Sequence, residues 1–270
     1  MTELTDDPSL PGELCAIARE AGAAILDAYG RDFSVRLKND RSPLTEADQV
    51  SHAVIRGRLR ELSLELPLLS EESPVEELSR RREWQRYWLV DPLDGTKEFL
   101  KRNGEFTVNI ALIDTHRAVL GVVFAPALDH IYYGTIAQGA WQQRADRDAE
   151  AIHVRSTAGD PLRVVGSRSH PSGELKAYLD ALGPYELTPM GSSLKICLVA
   201  AGEADVYPRF GPTSEWDTAA AQAILESAGG RMIDRVGQPL RYNAKDHLLN
   251  PHFLAFGDQQ RDWLAPIRKD

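Results

Sequence analysis

Positive charge is in short supply: 31 lysines and arginines stand against 40 acidic residues in 270, a net charge of −9. A duplex nucleic-acid binder carries a basic face, so that class is disfavoured, whereas a holder of divalent cations is not. Cysteine is scarcer still. Cys15 and Cys197 both fall in apolar, helix-patterned stretches, which leaves no disulfide framework and no cysteine-based zinc site. The histidines show no metal-ligand spacing. No apolar run approaches the roughly 20 residues that a membrane-spanning helix needs. Met1 to Gly12 is acidic and lacks a basic start followed by an apolar run. The expectation is therefore a cytoplasmic protein without a signal peptide, with peripheral attachment at the inner membrane left open.

What is present is ordinary globular composition, 43% apolar and 26% charged, in a length that suits one large core or two modest domains. Helical spacing of Leu14, Ile17, Ala18, Ala21 and Ile25 predicts a first helix stopped near Gly30. Ser34 to Lys38 reads as a short strand. A second helix is expected from Glu46 to Leu66, with Val50, Val54 and Ile55 inward and Pro67 as its end. Strand-like runs follow at 68–70, 88–90, 107–113, 119–124, 131–135 and 139–143, an antiparallel-looking sheet. The polar segment from Arg144 to Pro161 is the expected boundary, giving units 1–158 and 159–270. Beyond it strands and helices alternate, with helices expected at 174–182, 193–201 and 217–228.

Chemistry concentrates in acids. Trp88-Leu-Val-Asp-Pro-Leu-Asp-Gly-Thr96 carries an apolar strand into Asp91 and Asp94. Pro92 fixes one backbone angle and Gly95 permits a tight turn. Two carboxylates and the intervening Leu93 carbonyl are an oxygen-only set, suited to a hard cation. The alternative is a turn whose aspartates bond their own backbone. Leu68-Leu-Ser-Glu-Glu-Ser73 also runs from a strand into acids, and Glu71 is its candidate. Glu215-Trp-Asp-Thr-Ala219 places Asp217 at a helix start, where an aspartate can serve only to stabilise the helix end. All three segments meet strand ends or helix starts, where α/β sites form. Two divalent ions among Glu71, Asp91, Asp94 and Asp217 suit in-line displacement at phosphorus.

These segments, with 37–48, Trp88 to Asn109, Ser167-Arg-Ser-His170, Gly191-Ser-Ser-Leu-Lys195, Val206-Tyr-Pro-Arg209 and Trp216-Asp-Thr-Ala-Ala220, resemble the lithium-sensitive, magnesium-dependent phosphatases of the inositol monophosphatase superfamily. The chain is most similar there to the bacterial 3'(2'),5'-bisphosphate nucleotidases of sulfur assimilation. The resemblance implies a layered αβαβα sugar-phosphatase fold, α+β in the first half and α/β in the second. It implies Glu71, Asp91, the Leu93 carbonyl, Asp94 and Asp217 as ligands of two or three magnesium ions. Asp48 and Thr96 match the pair that orients and deprotonates the attacking water. Read without the resemblance, Asp48 is a solvated helix-face residue and Thr96 a turn residue. Ala221 stands where glycine is common in the family.

Substrate choice rests on cations. Lys97, Lys101 and Arg102 follow the Asp-Gly-Thr segment. Ser192 and Lys195 share an expected helix start suited to an anion. His170 and Arg209 match nucleotide contacts in the bisphosphate enzymes, and a guanidinium grips a second phosphate well. The implied substrate contacts are Glu71, Leu93, Gly95, Thr96, His170, Ser192, Lys195, Arg209 and Asp217. Alone, His170 reads as a structural loop histidine. Trp84, Trp88 and Trp141 read as packing residues rather than base-stacking platforms. The expected reaction is hydrolysis of 3'-phosphoadenosine 5'-phosphate to AMP and phosphate. The alternatives are an inositol or sugar-phosphate phosphatase and a catalytically dead nucleotide sensor. A monomer and a homodimer are both compatible.

Overall fold

The structure, a computed structural model, describes residues 7–30, 35–37, 43–62, 64–168 and 172–269, of which 35–37, 43–45, 75–77 and 269 are described by backbone alone. Helix α1 (Leu10–Tyr29) ends at Gly30 as its spacing predicts. Strands β1 (Val35–Leu37) and β2 (Pro43–Thr45) form a small antiparallel pair. Helix α2 (Glu46–Glu61) is shorter than expected. Leu62, Leu64, Leu66 and Leu68 all pack on the same core, a period of two that belongs to extended chain. Pro67 also disfavours helical backbone at the residue before it. The chain must straighten here because the Pro67 carbonyl accepts from the Trp88 amide at 2.8 Å.

Strands β3 (Leu68–Ser70), β4 (Arg86–Asp94), β5 (Thr107–Asp114), β6 (Arg117–Ala125), β7 (His130–Thr135), β8 (Gly139–Arg144) and β9 (Glu150–Ile152) form one sheet in chain order. Short helices α3 (Val75–Arg80) and α4 (Thr96–Leu100) interrupt the run. Only β3–β4 is parallel in this sheet. β9 lies inside the segment read as a polar boundary; it is a short edge strand with one buried residue, too weak a pattern to stand out. A second sheet, ordered β11-β10-β12-β14-β13, holds β10 (Leu162–Gly166), β11 (Tyr185–Pro189), β12 (Val206–Arg209), β13 (Arg231–Asp234) and β14 (Phe253–Phe256). Its helices are α5 (Gly173–Leu182), α6 (Leu194–Ala200) and α7 (Ala219–Ser227).

Side chains alternate across each strand and sort into three cores. Trp88, Val90, Val108 and Ile110 pack with α1 and α2. Tyr87, Leu89, Ala111 and Ile113 point the other way and pack with α6, α7, Tyr207 and Phe253. Val164, Val206 and Leu254 pack with Tyr178, Leu179 and Leu182 of α5. The result is five layers, helix–sheet–helix–sheet–helix, the expected αβαβα arrangement. The middle helices touch both sheets, so the halves on either side of residue 158 share one core. Close approach is built in at Gly121 of β6: a Cβ there would lie 2.0 Å from the Ala220 carbonyl of α7. Cys197 is buried, Cys15 half-buried, and both are unpaired. Among the described residues no helix is long and apolar enough to cross a membrane.

Candidate active site

Asp91 continues the Tyr87–Leu89 face of β4, so its side chain enters the middle helix layer. Asp94 is three residues on, and in a regular strand it would face away. The pairing Asp91↔Asn109 and Asp94↔Thr107 advances three residues on β4 against two on β5. This bulge returns Asp94 to the side of Asp91. Pro92 sits in the bulge, where a missing N–H does no harm, and its carbonyl accepts from Ser51 Oγ at 2.7 Å. Leu93 is buried and its amide donates to Asp91 Oδ1 at 3.0 Å. Gly95 then takes φ +90°, a left-handed turn that starts α4 at the half-buried Thr96.

The Ser51 bond docks the start of α2 onto this turn. Asp48, one turn earlier on the same helix face, is 1% exposed. The solvated reading of Asp48 is therefore wrong: it is buried on the α2 face that Ser51 docks against the Asp91–Asp94 turn. Glu71 follows directly on the parallel register Ser70↔Val90, which brings it beside Asp91, and its amide donates to the Val90 carbonyl at 3.1 Å.

Asp217 precedes α7 by two residues rather than starting it. Its Oδ2 accepts from the Ser214 amide at 2.9 Å, behind it in the chain, and Thr218 is the N-cap, without a side-chain cap bond. The helix-end role for Asp217 is thus not what the fold uses. Asp91, Asp94 and Asp217 each offer an oxygen within 4.8 Å of the others. Glu71 is outside that closest set but near enough for its charge to bear on both Asp91 and Asp217.

Two residues that the sequence did not single out hold the acids together. Ser193, just before α6, donates its amide to Asp94 Oδ2 at 2.7 Å. Its Oγ lies 2.7 Å from the same oxygen and 2.6 Å from the Asp217 carbonyl, with one proton to share between them. Asn109 Nδ2 donates to Ser193 Oγ at 2.8 Å. The start of α6 therefore already serves Asp94. The preference of short hydroxyl residues for helix starts was the one available signal for Ser193; Asn109 depended on cross-strand register.

Electrostatics mark the cluster as unbalanced. Burial raises Asp91 well above the usual carboxylate range, and Glu71, Asp94 and Asp217 raise it further. Burial and then Asp94 push Asp217 up to about 8. Buried oxygens that carry uncompensated negative charge are a fit for a hard divalent cation, which takes carboxylate and carbonyl ligands.

The cations are mixed. Lys195 is buried, pushed down to about 8 by burial and held up by Asp94; its Nζ donates to the Ser192 carbonyl at 2.7 Å. Ser192 takes a left-handed φ of 45°, with its Cβ 3.3 Å from where a Cβ on Gly95 would stand. Arg209 Nη2 donates to the Pro212 carbonyl at 2.8 Å, its charge reaches Asp217, and its Nε is buried without a partner among the described residues. Arg102 instead donates to the Tyr29 carbonyl at 2.9 Å, and Lys97 and Lys101 are exposed. His170 lies outside the described residues. Its motif neighbour Arg168 forks onto Glu105, which also accepts from the Gly191 amide at 2.7 Å, tying the 191–195 turn to the first half. That bond from Arg168 holds Glu105 below its usual range.

The chain is similar to known proteins. The chain is 51% identical over 244 residues to the 3'(2'),5'-bisphosphate nucleotidase CysQ of Escherichia coli K12, covering 89% of this chain and 97% of that one. It is 36% identical over 263 residues to the protein of the same name from Haemophilus influenzae, covering 97% and 98%. Among solved structures it matches CysQ from Bacteroides thetaiotaomicron, described as a bacterial member of the inositol monophosphatase family, with TM-score 0.81, 40% identity and 95% and 99% coverage. The sequence model of that family matches residues 11–266, nearly the whole span that builds the five layers and the acid cluster, and the chain belongs to the inositol monophosphatase family.

Proposed function

We propose that the chain is a 3'(2'),5'-bisphosphate nucleotidase that removes the 3'-phosphate of 3'-phosphoadenosine 5'-phosphate, yielding AMP and phosphate in support of sulfur assimilation in the cytoplasm. The observation that carries the reading is the convergence of Asp91, Asp94 and Asp217 within 4.8 Å, with Lys195 and Arg209 in electrostatic reach. A monoester needs strong charge neutralisation to hydrolyse, and a bisphosphate needs a second grip. The relatives named as bisphosphate nucleotidases support the same substrate class.

In this reading Glu71, Asp91, the Leu93 carbonyl, Asp94 and Asp217 hold two or three magnesium ions. Bound magnesium supplies positive charge against the phosphoryl oxygens and the departing ribose oxygen. Thr96 orients the attacking water, and Asp48, sheltered at the start of α2, takes up its proton. Gly95 and Thr96 line the reacting phosphate beside Glu71, Leu93 and Asp217. Ser192, Lys195, Arg209 and His170 receive the nucleotide.

Phosphate release from a substrate panel tests the proposal. The expected result is magnesium-dependent, lithium-inhibited turnover of 3'-phosphoadenosine 5'-phosphate well above that of inositol 1-phosphate. Equal or faster turnover of inositol 1-phosphate would assign the chain to the monophosphatase alternative. Nucleotide binding by calorimetry without turnover in magnesium would make it a sensor.

A further inference from the structure

The C-terminal end of α7, remote from Asp217, borders a concavity of about 530 Å³. That volume is within the usual span of small-molecule sites. Three arginines line it: Arg117 at the start of β6, Arg231 at the start of β13, and Arg241 in the loop beyond β13. All three are exposed. None of their guanidinium groups makes a hydrogen bond or ion pair among the described residues.

Glu226 of α7 lines the same concavity, and its carboxylate senses the charge of each arginine. It is not capped by them; its Oε1 accepts from Gln222 Nε2 at 2.7 Å. One carboxylate against three guanidinium groups leaves positive charge uncompensated at this spot, in a chain whose net charge is −9. Like charges around a concavity repel, and an anion with several oxygens relieves that repulsion while accepting from more than one planar fork. A single carboxylate fills one fork; a phosphate presents oxygens to all three. Met232 and Leu240 lie beneath the lining and are almost wholly buried, so the accessible wall is mostly polar, as an anion site requires.

We propose that this concavity binds a phosphorylated small molecule, with its phosphate held by Arg117, Arg231 and Arg241. The site is separate from the carboxylate cluster and is built of residues with no part in the proposed hydrolysis.

The test is residue-resolved: arginine Nε–H resonances of the full-length, magnesium-loaded protein are followed by NMR during titration with inorganic phosphate. The Ser193 amide reports the active site in the same spectra. The three arginine signals will move together and saturate along one curve, and chloride at matched ionic strength will not reproduce it. The double variant Arg231→Gln, Arg241→Gln will weaken that curve by at least about tenfold, leaving the Ser193 titration unchanged. Because both positions are exposed, the variant keeps its fold, which the remaining amide spectrum verifies. A non-saturating drift matched by chloride would overturn the proposal. So would arginine shifts that track Ser193 and vanish in Asp94→Asn, because they would then only echo events at the acid cluster.

Discussion

Replacing Asp94 by asparagine separates a metal ligand from a structural turn residue. Asp94 Oδ2 accepts from the Ser193 amide and hydroxyl, each at 2.7 Å. An asparagine oxygen in that place keeps both bonds, and its amide then faces Asp91 and Asp217 as a donor. Charge is what the substitution removes. At separations up to 4.8 Å, each neighbouring carboxylate when ionised repels Asp94 by about 3 kcal/mol at an effective dielectric near 20. Protonation relieves part of this. The folded pKa of Asp217 is raised to about 8 from an ordinary 3.8. Its proton therefore stabilises the folded chain at low pH, and that stabilisation is lost as pH rises through about 8. The metal-free wild type should accordingly lose stability in urea as pH climbs across that window. Asp94→Asn should flatten the slope, gaining on the order of 1 kcal/mol near neutrality and more in alkali. Magnesium should raise the wild-type midpoint and barely move the variant, and turnover should vanish. A variant several kcal/mol less stable at every pH, yet still stabilised by magnesium, would refute the reasoning and return Asp94 to the role of a turn residue.

Three further substitutions probe other parts of the construction. Ser193→Ala removes the hydroxyl shared by Asp94 and the Asp217 carbonyl, and should raise the magnesium needed for half-maximal turnover by about 10–100-fold, read from metal-dependent rates. Lys195→Ala should raise KM for the bisphosphate far more than for a monophosphate ester; equal effects would remove Lys195 from the second phosphate. Gly121→Ala forces a Cβ to within 2.0 Å of the Ala220 carbonyl, a backbone clash that should cost about 3 kcal/mol or more in urea denaturation and depress turnover, because α7 carries Asp217 with it.

The reach of the sequence differs from residue to residue, for physical reasons. Asp91, Asp94 and Glu71 were legible because a strand ending in acids is a local pattern, complete within a few positions. The α2 boundary was misread although its signal was present: Leu62, Leu64, Leu66 and Leu68 alternate, and the helical period was carried one turn too far. Asp48 and Asp217 invited bland readings because each is common on a helix face or at a helix start. Asp48 is buried on the helix face where its neighbour Ser51 bonds the Pro92 carbonyl, and Asp217 bonds backward to the Ser214 amide instead of capping α7. Ser193 and Asn109 lie deeper still, since they matter only once β5 is paired to β4 in register and α6 is set between the two sheets. Even Asp94 reaches the cluster only through a bulge, which Pro92 permits but whose register is set by pairing with β5. The ligands of such a site are therefore a property of segments, whereas the geometry that makes them ligands belongs to the contacts between segments. The missing Cβ of Gly121, far from any acid in the chain, shapes that geometry by letting α7 approach β6 closely enough to deliver Asp217.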